Sequence, residues 1–124
     1  MRILFPTALA IAALAAPGSA RDRNAVPAAT ITGKPQSCIP LRSIRESLVR
    51  SDQVIDFRVG GNKYYRVTLD RPCPQLGFER RFSYATSLSQ LCAQDIITVL
   101  YSTPMLPGAS CGLAPFQPVT IAKR

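Results

Sequence analysis

The sequence predicts an all-β fold, namely a small disulfide-stapled barrel or sandwich of about five to six short antiparallel strands. Three observations lead to this prediction. Short segments alternate apolar with polar residues, turn-forming residues separate these segments, and an even number of cysteines, four, follows a segment typical of export signals. A chain of 124 residues also has the length of one small domain.

The clearest element is a β-hairpin over residues 53–69, in which alternating segments lie on both sides of a turn at Gly60-Gly61-Asn62. If Val59 and Tyr65 share the buried face, the loop must contain three or five residues. A plain two-residue turn would place Val59 opposite Tyr64 and mismatch the two faces. The alternating apolar residues are Ile55, Phe57, Val59, Tyr65, Val67 and Leu69.

The other segments carry weaker signals. Residues 41–50 fit either a helix face or a strand, and residues 78–84 and 95–101 alternate as strands do. Residues 103–108 predict a loop. Residues 111–121 predict an edge strand at best, because two prolines in this segment cannot donate hydrogen bonds to a ladder.

The N-terminal segment predicts export. Arg2 precedes an apolar run from Ile3 to Ala16, and small residues follow up to Ala20, so residues 1–20 match a signal peptide. The run is shorter than the roughly 20 residues of a spanning helix. We therefore expect a soluble periplasmic or secreted protein with no transmembrane segment in the mature chain. Residues 21–37 predict a flexible leader, and residues 38–121 a single small β-domain.

The four cysteines predict two structural disulfides. An exported domain of this size commonly uses such bridges, and the gaps between the cysteines do not match the close spacing of zinc ligands. Sequence alone leaves three pairings open. The nested pairing, Cys73–Cys92 with Cys38–Cys111, is favoured because Cys73 ends one strand-like segment and Cys92 precedes the next.

Six short motifs follow one another along the mature chain. They are Cys38-Ile39, Ser51-Asp52, Tyr64-Tyr65-x-Val67-x-Leu69, Cys73-Pro74-x-Leu76, Leu91-Cys92-x-x-Asp95-x-Ile97-x-Val99 and Cys111-Gly112-Leu113. In this order they resemble a domain-of-unknown-function family of small exported four-cysteine proteins of Gram-negative bacteria. The resemblance covers roughly Cys38 to Val119. It implies export, two disulfides and a β-rich fold, and it implies no activity, because the family offers no catalytic motif to carry over.

The composition argues against most catalytic chemistry. With no histidine, the chain lacks imidazole acid–base catalysis and histidine metal sites, and we predict no catalytic residue, metal or cofactor. The predicted class is a non-enzymatic domain with a structural or binding role. The alternative is a small carboxylate-dependent hydrolase that acts on cell-envelope material. It would need two facing carboxylates, whereas Asp52, Asp70 and Asp95 fall at predicted turns or strand ends.

The excess of basic over acidic residues is the remaining indication of function. The formal net charge is +8, from 15 basic and 7 acidic residues. Arg58, Arg66, Arg80 and Arg81 lie on or beside predicted strands and form the candidate anion-binding set. An anionic envelope polymer or an acidic protein is the predicted partner, and intracellular nucleic acid is not expected for an exported protein. A solvated surface without a specific ligand is the competing interpretation.

Overall fold

The computed structural model describes residues 26–86, 88–102 and 106–122. The all-β prediction is confirmed, since 48% of the structure is strand and 8% is helix. The strands form three antiparallel sheets, with no closed barrel. The described residues contain ten strands, more than the five to six predicted, because several are only two to four residues long. No helix among these residues is long and apolar enough to cross a membrane.

The elements alternate short strands with tight connections. In chain order they are β1 (Thr30–Ile31), β2 (Cys38–Pro40), a 3-10 helix (Leu41–Ser43), β3 (Glu46–Val49), β4 (Val54–Gly60), β5 (Lys63–Thr68), α1 (Leu76–Glu79), β6 (Phe82–Tyr84), β7 (Gln90–Cys92), β8 (Ile96–Leu100), β9 (Pro107–Gly112) and β10 (Gln117–Thr120). The three sheets have the strand orders β1-β10-β5-β4-β3, β2-β7 and β6-β8-β9.

The core lies between the five-stranded and three-stranded sheets. Phe57 of β4 is fully buried and meets Phe82 of β6 edge to face, with ring centroids 6.3 Å apart. Phe116 packs against Phe57 at 5.8 Å and Tyr65 at 6.5 Å. Aromatic pairs in these arrangements add packing energy beyond the apolar area that they bury. The two sheets therefore share one core.

The predicted hairpin is present as β4 and β5, but its connection differs from the expectation. Gly61 and Asn62 form a two-residue turn, and a bulge at Val59 shifts the register between Arg58 and Gly60. Tyr65 consequently lies opposite Phe57, not opposite Val59. A bulge adds one unpaired residue to one strand. This extra residue solves the face mismatch that led us to expect an odd-numbered loop.

Two of the weaker segments differ from their predictions. Residues 41–50 resolve into the 3-10 helix followed by β3, and the strand expected over 78–84 begins only at Phe82, after the single turn of α1. This turn forms because Asp52 accepts a hydrogen bond from the Gly77 amide at 2.6 Å. A bonded amide at a helix start needs no intrahelical acceptor. A Cβ on Gly77 would lie 2.9 Å from the Asp52 backbone nitrogen, so glycine permits this approach.

The C-terminal predictions need correction as well. Of the loop expected over 103–108, residues 103–105 lie outside the described part and Pro107 already begins β9. The expected edge strand is wrong, because β10 lies inside the sheet between β1 and β5. Pro118 is tolerated there because its carbonyl accepts from Thr32 at 3.0 Å. The Pro118 nitrogen, which has no hydrogen to donate, faces the same side. It lies beyond the last pair between β1 and β10, Ile31 with Val119, so no bond of that ladder is lost.

The predicted domain boundary lies too far along the chain. Thr30 and Ile31, which we assigned to a flexible leader over 21–37, form β1 and pair with β10. Gln36 also forms a two-way backbone bridge with Phe116, at 2.8 Å in each direction. The folded unit therefore includes residues ahead of Cys38. The predicted signal peptide at 1–20 and the first five leader residues lie outside the described part.

Both disulfides form, but the favoured pairing is wrong. The bridges join Cys38 to Cys92 and Cys73 to Cys111. β7 pairs with β2 and places Cys92 directly opposite Cys38, with 4.0 Å between the Cα atoms. β9 brings Cys111 to the chain that follows β5. The bridges span sequence separations of 54 and 38 residues, for which loop-closure entropy gives about 4 kcal/mol of stabilisation each.

This pairing can be tested by peptide mapping under non-reducing conditions. Combined cleavage after Lys and Arg and before Asp places each cysteine in a separate peptide, because Asp95 lies between Cys92 and Cys111. We expect the Cys38 peptide linked to the Cys92 peptide, and the Cys73 peptide linked to the Cys111 peptide. Recovery of Cys73 linked to Cys92 would contradict the structure.

Candidate functional site

The outer face of the five-stranded sheet carries the polar residues of β4 and β5. Strand alternation directs these residues away from the core side on which Ile55 lies. In the observed register Asp56 lies opposite Arg66, and Arg58 lies opposite both Tyr64 and, on β3, Glu46. The bulge at Val59 sets the two pairs between β4 and β5, because a two-residue turn without it would place Asp56 opposite Val67.

Asp56 is a fully buried carboxylate held by two arginines. Its Oδ1 accepts from Arg66 Nε at 2.8 Å, and its Oδ2 accepts from Arg50 Nε at 2.8 Å and from Arg66 Nη2 at 3.0 Å. The side chains of Arg50 and Arg66 retain only 21% and 16% of their exposure. A buried charge is tolerated when it is paired and hydrogen-bonded in this way.

The same network reaches two further parts of the molecule. Arg66 Nη2 also donates to the Pro27 carbonyl at 2.9 Å, which ties the N-terminal segment to the sheet. The Arg50 guanidinium carbon lies 5.9 Å from the centroid of the Tyr64 ring, within cation–π range. The ion network of Arg50, Asp56 and Arg66 thus joins β4, β5, the chain after β3 and the N-terminal segment.

The structure divides the four predicted anion-binding arginines. Arg66 belongs to the internal ion network, where its Nε and Nη2 donate to Asp56. Arg58 makes a partly exposed salt bridge to Glu46 through Nε at 3.1 Å. Arg80 and Arg81 follow α1, away from the hairpin. Arg80 Nε donates to the Gly77 carbonyl at 3.2 Å, whereas Arg81 lines a separate cleft beside β8 and β9.

Arg58 borders an open cleft at the hairpin tip, which we call the hairpin cleft. Its volume is about 320 Å³. The Gly61-Asn62 turn forms part of the wall, and Lys63 is exposed at the next position. The lining residues are Arg58, Gly61, Asn62, Tyr64, Ile121 and Ala122. An arginine, a tyrosine and a turn thus border one opening, and the cationic and hydroxyl donors of the two side chains suit binding of an anion.

The described carboxylates mostly have structural partners. Asp52 caps the first turn of α1, and Asp95 Oδ2 accepts from the Cys92 amide at 2.7 Å, as predicted for turn residues. Asp70 lines a different open cleft next to Cys111. No cluster of three potential metal ligands occurs among the described residues. The hydrolase alternative stays a prediction that no arrangement of these carboxylates favours.

Sequence reasoning missed the ion network. Alternation with Ile55 and Phe57 predicts an outward, solvated Asp56, and Arg50 ends a segment that fits either a helix or a strand. A cross-strand Asp–Arg pair is the signal that could have revealed the network. Of the two odd-numbered loops that the sequence allows, the three-residue loop places Asp56 opposite Arg66 and the five-residue loop places it opposite Thr68, so the pair is one of two open alternatives.

Replacing Asp56 with Asn should lower the free energy of unfolding by about 3–5 kcal/mol, because Arg50 and Arg66 then keep uncompensated, largely buried charges. Urea denaturation with both disulfides intact measures this loss. Glu46→Gln is the matched control, because it removes one charge from the exposed pair with Arg58 and should cost less than about 1 kcal/mol. Equal losses in the two variants would contradict the structural role of Asp56.

Comparisons with protein-family models, with curated proteins and with solved structures found no match to this chain. The family resemblance of the six sequence motifs therefore stays a prediction. A functional assignment depends on the geometry of the outer sheet face and its clefts.

Proposed function

We propose that this protein is an exported, non-enzymatic domain that binds carboxylate or phosphate groups of an anionic envelope polymer at the hairpin cleft. The observation that carries the proposal is the position of Arg58. Its guanidinium is partly exposed, and it borders an opening large enough for a sugar-sized group. The ligand class follows from the planar donor fork of arginine, which matches carboxylate and phosphate oxygens.

The hydrogen bonding of Arg58 leaves capacity for a ligand. Among the described residues, the hydrogen bond from Nε to Glu46 is the contact that holds this side chain, so the two terminal nitrogens remain as donors. The Glu46 bond also orients the guanidinium, which lowers the entropy that a ligand must overcome. A charge-assisted hydrogen bond to an anion is about twice as strong as a neutral one.

Tyr64 supports the same assignment from the opposite strand. It lies across from Arg58 in the ladder and lines the same cleft. Arg50 lies over the Tyr64 ring and is itself anchored to buried Asp56, so the ring is held by the ion network. A phenol fixed in this way offers an apolar surface and a hydroxyl to a polymer unit.

Export rests on two observations of different kinds. Two disulfides occur in a small domain, which is typical of oxidising compartments outside the cytoplasm. The first 20 residues have the pattern of a signal peptide. In the periplasm or outside the cell, the anions within reach are envelope polymers. Export removes Arg2 with the signal peptide, and the remaining net charge, 14 − 7 = +7, attracts these polymers at long range.

Binding to a carboxylate polymer, polygalacturonate, and to a phosphate polymer, inorganic polyphosphate, tests this proposal. We expect calorimetric titration of the disulfide-bonded protein to show binding that weakens with added salt. Arg58→Gln should weaken it by roughly tenfold, the loss of one charge-assisted contact. The comparison of the two polymers identifies the preferred group.

Arg81→Gln is the matched control, because it removes an equal charge at a distant position and should change the affinity less than twofold. Neutral dextran should not bind. Equal losses in the two variants would indicate attraction by net charge alone and would overturn the hairpin cleft as the site. No binding to either polymer would overturn the proposal as a whole.

A further inference from the structure

We infer that a second cleft, lined by Leu100, Tyr101, Leu106, Pro107 and Arg81, binds a small apolar carboxylate, such as an aliphatic or aromatic acid of about six to eight carbons. We call it the β8–β9 cleft, and its volume is about 140 Å³. It differs from the hairpin cleft in its position and in its chemistry, because most of its lining is apolar. The inference is independent of the proposed polymer binding.

Main-chain hydrogen bonds build the walls of this cleft. The Leu100 amide donates to the Arg81 carbonyl at 3.0 Å, which places Arg81 beside the end of β8. The Tyr101 amide donates to the Leu106 carbonyl at 3.0 Å and so holds Leu106, which precedes β9, beside the end of β8. Backbone bonds of this kind hold a pocket in shape before a ligand arrives, which reduces the ordering cost of binding.

Gly108 allows the Tyr101 ring to lie against β9. A Cβ at this position would be 3.0 Å from the ring carbon Cε1 and 3.3 Å from the Val99 carbonyl oxygen. Any side chain at position 108 would thus push the ring outward. The glycine keeps the tyrosine wall of the cleft close to the strand.

The apolar lining and the volume of the cleft together define the apolar group of the ligand. Leu106 remains 54% exposed, so its side chain offers apolar surface that the fold itself does not cover. A volume of about 140 Å³ is close to that of an engineered apolar cavity of about 150 Å³ that accepts benzene. A phenyl ring or a branched aliphatic group fits this space, whereas a sugar polymer does not.

Arg81 defines the charged group of the ligand, a carboxylate. It is exposed and is the one charged residue among the five that line the cleft. The nearest acid in sequence, Glu79, accepts hydrogen bonds from the backbone nitrogen and the hydroxyl of Ser102, both at 3.3 Å. An arginine beside an apolar cleft is complementary to an apolar group that ends in a carboxylate.

Titration with phenylacetate and with its neutral analogue phenylacetamide tests the inference on the wild-type protein. In amide nitrogen–proton NMR spectra we expect saturable shifts for phenylacetate, centred on Leu100, Tyr101 and Leu106. Phenylacetamide should bind about tenfold more weakly, because it offers no charge to Arg81. Acetate, which lacks the apolar group, should cause no saturable shift at these amides.

Substitutions at two exposed residues separate the contribution of the Arg81 charge from that of the apolar surface. Arg81→Gln should weaken phenylacetate binding by roughly tenfold and leave phenylacetamide unchanged, whereas Leu106→Ala should weaken both ligands by a similar factor. Arg58→Gln is the control and should change neither. The inference is overturned if wild-type protein binds the acid and the amide equally, if shifts centre on the hairpin cleft, or if Arg81→Gln leaves phenylacetate binding intact.

Discussion

The buried carboxylate of Asp56 is the constraint on which the outer sheet face depends. It lies on the face where strand alternation would normally place a solvated side chain, yet it is fully buried between Arg50 and Arg66. Desolvating an ion is costly, and the cost is offset only while both partners keep their geometry. The network therefore holds the register of β4 and β5. Through the Pro27 carbonyl it also holds the N-terminal segment on the same sheet.

Because of this constraint, the arginines differ in whether they are available to bind a ligand. Arg50 and Arg66 share the one carboxylate of Asp56, and their Nε donors are directed at it. Arg58 has a weaker, partly exposed partner and faces an open cleft, whereas Arg81 faces an apolar one. The high positive charge of the sequence thus does not form one uniform surface. Arg58 and Arg81 lie in different chemical surroundings, which is why we assign them different ligands: an anionic polymer at the hairpin cleft and a small apolar acid at the β8–β9 cleft.

Local patterns predicted much of the fold, and non-local events account for the rest. Alternation in residues 53–69 identified the hairpin, because the apolar face of an antiparallel sheet is visible in a short window. The bulge at Val59 left no such trace, and the two odd-numbered loops that the sequence allows place Asp56 opposite either Arg66 or Thr68, so the partner of Asp56 stayed open. The disulfide pairing failed because β7 pairs with distant β2 and carries Cys92 to Cys38. The turn of α1 depended on Asp52, 25 residues away from Gly77. At the candidate site, composition singled out arginine as the functional residue type, but only the tertiary contacts separate Arg58 from Arg66.

The central claim is that Asp56 holds Arg50 and Arg66, whereas Arg58 stays accessible to a ligand. Arginine side-chain NMR tests this claim most directly. The Nε–H signals of the arginines report both solvent exchange and ligand contact at each guanidinium. We expect slow exchange for Arg50 and Arg66, whose Nε atoms are bonded to buried Asp56, and faster exchange for Arg58. On addition of polygalacturonate or polyphosphate, the Arg58 signal should shift while those of Arg50 and Arg66 stay in place. Rapid exchange at Arg66, or a shift of Arg66 in place of Arg58, would contradict the account.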